Sequence, residues 1–203
     1  MGKRTIKIFG EIPKMNDKEV LKLIKERRSI RKFNNKPISD IDLIELIDAG
    51  IHAPTGSNVK SWQFMIIKSK KDIEFLGTQK IPLVGTANVI IFILSDLRVC
   101  HYLYGNRKEI FRYMPIQDSA MSAQNIMLLA TAKNIGSCMI QFNSEWETWN
   151  KVKEYFKFED YLQPESLILL GYSDKKIDLE TYKHQKRPIK RKSIKDYILE
   201  WRN

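Results

Sequence analysis

Arg27-Arg28-Ser29-Ile30-Arg31-Lys32-Phe33 places four cations and a hydroxyl within six residues and closes them with an aromatic. The ten residues before it, Asp17 to Glu26, carry apolar side chains at Val20, Leu21, Leu23 and Ile24, a helical spacing with Asp17 as the expected N-cap. Two readings of the cationic run stand side by side. Cations collect in the last turn of a helix because they complement its dipole. Forked guanidinium groups beside a serine hydroxyl also make an anion cradle, since Arg grips a phosphate through two parallel hydrogen bonds. The run alone does not choose between them; the residues beyond Phe33 do.

Outward from the run, Asn34-Asn35-Lys36-Pro37 is turn chemistry. Ser39 with Asp42 three residues on predicts a capped second helix, and Ile41, Leu43, Ile44, Leu46 and Ile47 give it a broad apolar face ending near Gly50. Ala53-Pro54-Thr55-Gly56-Ser57-Asn58 predicts a loop, because proline and glycine break a helix while serine and asparagine favour turns. Strands are predicted at 62–68, 88–95, 135–142 and 166–172; the second is apolar throughout, which predicts burial on both faces. One helical turn is predicted at 73–76 and longer helices at 115–134 and 145–155, whereas 97–113 shows no clear period. Ser119, Ala120, Ser122, Ala123, Ala130 and Ala132 would let another helix come close to the longest of them. Strands set between helices without regular alternation predict an α+β sheet wrapped by helices.

No repeat or composition break divides the 203 residues, which predicts one domain with 1–16 as an N-terminal extension and 174–203 as a basic tail. The tail's Ile194, Tyr197, Ile198 and Trp201 need a surface to bury against, in this domain or in a partner subunit. The longest apolar run, Val89 to Leu94, is far short of the roughly 20 residues a membrane-spanning helix needs. The basic start, Met1 to Met15, lacks the apolar core and cleavage site of a signal peptide, and Cys100 and Cys138 suggest no disulfide framework; the cytoplasm is the expected compartment. A net charge of +11 exceeds what one phosphate would use, yet no motif that reads DNA or RNA accompanies it, so nucleic acid is not the expected partner.

The chain carries no Gly-x-Ser-x-Gly, no phosphate-cradling P-loop, no Gly-x-Gly-x-x-Gly and no His-Glu-x-x-His, and no cluster with metal-ligand spacing; no metal is expected. If it is an enzyme, an organic cofactor supplies the reactive centre. Four segments then bear on one family. Arg27 to Phe33 resembles the N-terminal signature of the nitroreductase family of FMN-dependent NAD(P)H oxidoreductases, and Ala53 to Phe64 resembles its second. Asp118 to Ala132 running into Asn134-Ile135-Gly136-Ser137-Cys138 is similar to a third, and Leu169-Leu170-Gly171-Tyr172 with its basic tail to a fourth. They stand in family order and span most of the chain from Glu26 to Tyr197.

The resemblance implies a nitroreductase-like α+β fold: a mainly antiparallel central sheet wrapped by helices, in a homodimer that exchanges its C-terminal tails. It implies that Arg27 or Arg28 with Ser29 holds the FMN phosphate, completed by Lys190 and Arg191, with Lys186-Arg187 or Lys192 as substitutes. It places Arg31 by the pyrimidine edge, where a fixed cation favours the reduced cofactor. Thr55, Ser57 and Asn58 would reach the flavin from the other subunit, Ile140 and Gln141 would pass its N5 face, and Gln79 would lie along the ribityl chain. NADH or NADPH would give hydride and leave before a nitroaromatic, quinone or enone acceptor enters the same pocket, a ping-pong scheme that names no catalytic side chain. The alternatives are a specialised family reaction, flavin fragmentation or reductive dehalogenation, and a flavin or anion binder without turnover. Two departures bear on the substrate: Lys60-Ser61 stands where the family usually has Gln-Pro, and Gln141-Phe142 where small glycines are common. Other residues read blandly. Trp62 and Phe64 are expected in the core, Asp118 as a helix-dipole partner, Cys138 as a small buried hydrophobe, and His52 and His101 at the surface or satisfied in the core.

Overall fold

The apolar run becomes β2 (Val89–Asp96), buried at all eight positions, as a strand covered on both faces must be. The computed structural model describes residues 16–81, 83–99 and 108–174 together with Ser193 and Tyr197, with the side chains of 108–112 left aside. Lys190, Arg191, Cys100 and His101 lie outside the described residues. The chain divides into two units, Met1–Ser173 and Asp174–Asn203, and the elements named here are those of the first.

β1 (Trp62–Ile67) and β4 (Leu162–Gly171) flank β2, and β3 (Gly136–Gln141) lies outside β4, giving the order β1-β2-β4-β3 with every pairing antiparallel. Alternate side chains of the sheet feed two cores. Ile91, Ile93, Ile168 and Leu170 face α2 (Asp40–Ile51) and α4 (Lys108–Ala132), whose Leu43, Leu46, Ala123 and Ile126 complete that layer. Ile90, Phe92, Leu167 and Leu169 face α3 (Lys70–Thr78) and α5 (Trp149–Phe156) through Ile73, Leu76, Trp149 and Val152. The expected α+β fold, a central antiparallel sheet wrapped by helices, is what forms.

Several boundaries move, each for a local reason. α1 (Asp17–Glu26) is capped by Asn16, not Asp17: Asn16 has the extended backbone and accepts the Lys18 N–H at 3.1 Å, while Asp17 falls in the first turn beside the dipole. Ser39 caps α2 as expected, accepting the Asp42 N–H at 3.1 Å and donating to Asp42 Oδ2 at 2.6 Å. Ser69 likewise caps α3, accepting from Asp72, so that helix runs well beyond one turn. α4 begins at Lys108 and passes through Pro115, which costs it one backbone bond but does not end it. α5 starts at Trp149, after a turn that includes Glu145. β4 starts at Leu162, earlier than predicted, because Pro164 and Glu165 obscure the strand pattern. Gly50 is where α2 and α4 approach: a Cβ there would lie 2.9 Å from Ile126 Cδ1 and 3.0 Å from Ser122 Oγ.

The broad apolar face of α2 is only half used. Leu43 and Leu46 are buried, but Ile41 and Ile44 are 71% and 66% exposed. α1 buries no residue at all, and its Val20, Leu21 and Ile24 face outward.

Candidate functional site

Both readings of the cationic run are realised, by different residues. Arg27 ends α1 through its backbone N–H, which donates to Leu23 O at 3.0 Å. The Arg28 guanidinium folds back on the helix, donating to Arg27 O at 2.8 Å and to Lys25 O, and so satisfies carbonyls at the C-terminus. The Arg27 guanidinium has no such engagement among the described residues; as whole residues, Arg27, Ser29 and Arg31 are each half-buried. From Ser29 the chain is stitched to the sheet. Ser29 forms a parallel bridge with Ser137, and the Ile30 N–H donates to Ser137 O at 2.8 Å. Gly136 makes that contact possible, since a Cβ there would meet Ile30 Cγ2 at 2.9 Å. At the end of β4 the Asn34 N–H donates to Tyr172 O at 2.7 Å, and a Cβ on Gly171 would stand 2.6 Å from Phe33. Arg31 Nη1 donates to Ser29 O at 3.4 Å.

The second predicted segment is a 3-10 turn, Gly56–Asn58, with a rare backbone. Ser57, Asn58 and Lys60 have φ of 47°, 58° and 53°, a left-handed conformation that costs L-residues about 1–2 kcal/mol each. The Lys60 N–H donates to Thr55 Oγ1 at 3.2 Å, which closes the loop on itself. Two residues of α4 hold it down. Asp118 Oδ1 accepts the Gly56 N–H at 3.0 Å, and the Met114 ε-methyl lies where a Gly56 Cβ would be, 2.1 Å away. Ser57 and Asn58 are exposed, and Thr55 is half-buried. Asp118 is therefore not a dipole partner at a helix start. It lies inside α4, only 3% exposed, and burial pushes its carboxyl above the usual carboxylate value. The sequence hides this role because the bond spans 62 residues.

The topology sorts the candidates. Ile140 and Gln141 end β3, where Gln141 lies opposite Ser166, whose hydroxyl is 3.2 Å from that of Ser119 on α4. Asp118, next in the chain, holds the 55–60 loop, so Gln141 and this loop share one end of the sheet. The arginine segment is pinned at the other end, on Ser137, roughly 13 Å away along β3. Gln79 caps the C-terminus of α3 and donates from Nε2 to Thr78 Oγ1 at 2.9 Å; no described bond joins it to another candidate. Trp62 is buried and Phe64 packs on the same core. Cys138 is buried as a free thiol, and His52 is exposed on α2's end with Nδ1 2.8 Å from Asp48 O. A cleft of about 470 Å³ lined by Phe33, Lys68, Lys70 and Asn88 contains none of the candidate residues.

The nitroreductase family model matches residues 24–81 and 76–172, which covers the arginine segment, the loop and all four strands. The chain belongs to the nitroreductase family. A relative from Archaeoglobus fulgidus, provisionally named an NADH dehydrogenase/NAD(P)H nitroreductase, is 27% identical over 159 residues, 76% of this chain and 85% of its own length. Among solved structures, a provisional nitroreductase from Desulfovibrio desulfuricans in complex with FMN has a TM-score of 0.68 at 24% identity, covering 93% of this chain and 99% of that one. An FMN-dependent nitroreductase from Clostridium difficile has a TM-score of 0.63 at 24% identity, over 77% of this chain and 88% of that one. The expected fold is thus borne out twice, by the sheet itself and by its neighbours.

Proposed function

We propose that this nitroreductase-family chain is an FMN-dependent oxidoreductase that draws on NADH or NADPH. The supporting observation is the arginine segment. It leaves a helix as extended chain, pinned to β3 by the Ile30–Ser137 bond, with Arg27, Ser29 and Arg31 half-buried beside it. That donor set fits a phosphate and the adjoining flavin edge: a guanidinium fork not tied to the helix, a hydroxyl, and a second guanidinium two residues on. In this reading Arg27 with Ser29 takes the phosphate, Arg28 secures the end of α1, and Lys190 and Arg191 of the tail complete the site. Arg31 then faces the pyrimidine edge and Gln79 the ribityl chain, while Ile140 and Gln141 pass the ring. When bound, FMN supplies hydride acceptance from the nicotinamide and hydride donation to a nitroaromatic, quinone or enone in alternating half-reactions. The chain's part is to bind, align and keep water off the ring, which needs no nucleophile.

The reading includes a second copy of the chain. Thr55, Ser57 and Asn58 sit at the sheet end away from the arginine segment and present polar groups, as a loop serving a neighbour's site would. Ile41, Ile44, Val20, Leu21 and Ile24 on α1 and α2 are apolar and exposed, the kind of surface a homodimer covers. The single domain of 1–203, with its tail 174–203 lying on the partner, belongs to the same proposal, as does a cytoplasmic location. No helix among the described residues is long and apolar enough to cross a membrane.

One purification tests it. The protein is expected to be yellow, to release FMN on denaturation, and to elute as a dimer. Anaerobic NADH or NADPH should bleach the flavin band, and a nitroaromatic or quinone should restore it. A colourless monomer that ignores added FMN would overturn the reading.

A further inference from the structure

The end of β3 separates two residues that the sequence sets side by side. Gln141 and Phe142 stand where small glycines are common in the family, and the sheet sends their side chains opposite ways. Cys138 and Ile140 belong to the core under α3 and α5, while Met139 packs on the core under α2 and α4. Side chains alternate along a strand, so Gln141 follows Met139 to the α4 face. Its cross-strand partner agrees: Ser166 lies on that face, with its hydroxyl 3.2 Å from that of Ser119. Phe142 turns the other way. It is 0% exposed, and its N–H donates to Glu165 O at 3.2 Å. Its ring lies 5.1 Å from Trp146, 5.8 Å from Phe92 and 6.2 Å from Trp149. A ring held edge-on by three aromatic neighbours fills the core and does not narrow a substrate space.

Gln141 is left as the side chain that meets whatever lies over the end of this strand. It is the one exposed residue of β3. Among the described residues nothing bonds to its amide, whereas the polar groups nearest to it in the fold are committed elsewhere. Ser119 and Ser166 face each other, Asp118 holds the Gly56 N–H, and Asn143 Oδ1 accepts the Glu145 N–H at 3.0 Å. An uncommitted amide offers two N–H donors and a carbonyl acceptor.

We propose that Gln141 selects the electron acceptor: it donates its amide N–H to the nitro or carbonyl oxygen of a single-ring acceptor and stands in the way of a second, fused ring. The inference rests on the proposed function, in which β3 passes the flavin ring. Glycine at this position leaves the space over the ring open; here a long side chain fills part of it. Its hydrogen bond is worth about 2- to 10-fold in affinity for the small acceptor. Its bulk costs the larger acceptor about tenfold or more. Attraction and exclusion are separate effects, so different substitutions remove them.

Neutral probes that accept no electrons test this apart from turnover. Benzamide and 2-naphthamide carry the same carbonyl on one ring and on two, and calorimetry on the FMN-loaded protein gives their dissociation constants. 2-Naphthamide should bind Gln141→Ala about tenfold or more tightly than it binds wild type or Gln141→Met. Gln141→Met keeps the bulk and loses the hydrogen bond, so its benzamide constant should rise about 2- to 10-fold. In turnover, kcat/KM for a naphthoquinone relative to a benzoquinone should rise in Gln141→Ala over wild type, a double ratio in which the potentials of the quinones cancel. A 2-naphthamide constant unchanged in Gln141→Ala overturns the exclusion, and a benzamide constant unchanged in Gln141→Met overturns the hydrogen bond. Either result in a yellow protein leaves the flavin reading standing. A protein that never takes up FMN overturns that reading and this inference together.

Discussion

The arginine segment and the 55–60 loop lie at opposite ends of the sheet and are held by opposite means. The segment has ordinary extended backbone after α1, is fixed by main-chain bonds to its neighbours Ser137 and Tyr172, and offers charge. The loop offers little charge and an unusual backbone, and it is fixed by side chains of a helix 62 residues away. In the proposed reading the first region acts through residue type, the second through shape. Substitutions should therefore separate the two. Removing the charge of Arg27, which is not tied to the helix, should alter binding without altering stability, whereas changes of backbone at the loop should move stability and amide protection together.

The largest effect is expected at Arg27. Losing a charge-assisted fork to a phosphate should weaken FMN binding by about 10- to 100-fold, with stability to urea within about 0.5 kcal/mol of wild type. Arg28→Ala should instead lower stability by about 1 kcal/mol, because its guanidinium closes the end of α1, and should weaken binding less. Flavin titrations and urea unfolding on the two variants decide it. If Arg28→Ala loses the flavin and Arg27→Ala keeps it, the assignment of the two arginines is reversed.

Next come the two glycines that let each region sit where it does. A Cβ at Gly171, the last residue of β4, would be 2.6 Å from Phe33 Cβ and Cγ and 2.7 Å from Asn88 Oδ1, and the Phe33 Cβ, bound to the backbone, cannot swing aside. Gly171→Ala should cost about 1–3 kcal/mol by urea unfolding, as overpacking does. At Gly56 the obstacle is the free end of Met114, which can swing away. Gly56→Ala should cost about 1 kcal/mol or less. Equal losses at both positions would mean that Met114 is locked, and that the loop is as rigidly seated as the segment.

How much of the molecule is legible in its sequence follows the same division. The strand at 89–96, the Ser39 cap and the cationic run can be read because each depends on neighbours in the chain. The cap of α1 reads one residue late because Asn16 and Asp17 are both competent side chains, and only the backbone angle tells them apart. Pro115 suggests a helix start because proline suits that position, yet a helix can pass through one. Pro164 and Glu165 hide the first half of β4, since neither suits a central strand and a bulge has no sequence period. Asp118 reads as a dipole partner because its bond to the Gly56 N–H, 62 residues away in the chain, forms only once α4 and the loop have been brought together.

The smallest effects should come from the foot of the loop, where the chain departs from its family. Lys60-Ser61 stands in place of the usual Gln-Pro, and Lys60 is left-handed at φ 53°. A proline at 61 would push residue 60 towards extended backbone, so the missing proline and the left-handed lysine belong together. Ser61→Pro, although family-like, should therefore cost about 1 kcal/mol or more here and raise hydrogen exchange across 55–61. Lys60→Gly should do little to stability, because relief of the left-handed strain is offset by the about 0.5–1 kcal/mol of extra backbone entropy lost on folding. Its informative readout is the Thr55 contact: the residue 60 N–H remains, so protection of that amide should persist. A clear loss of protection in Lys60→Gly, with stability unchanged, would show that the loop's shape depends on the lysine side chain and not on the tether from α4.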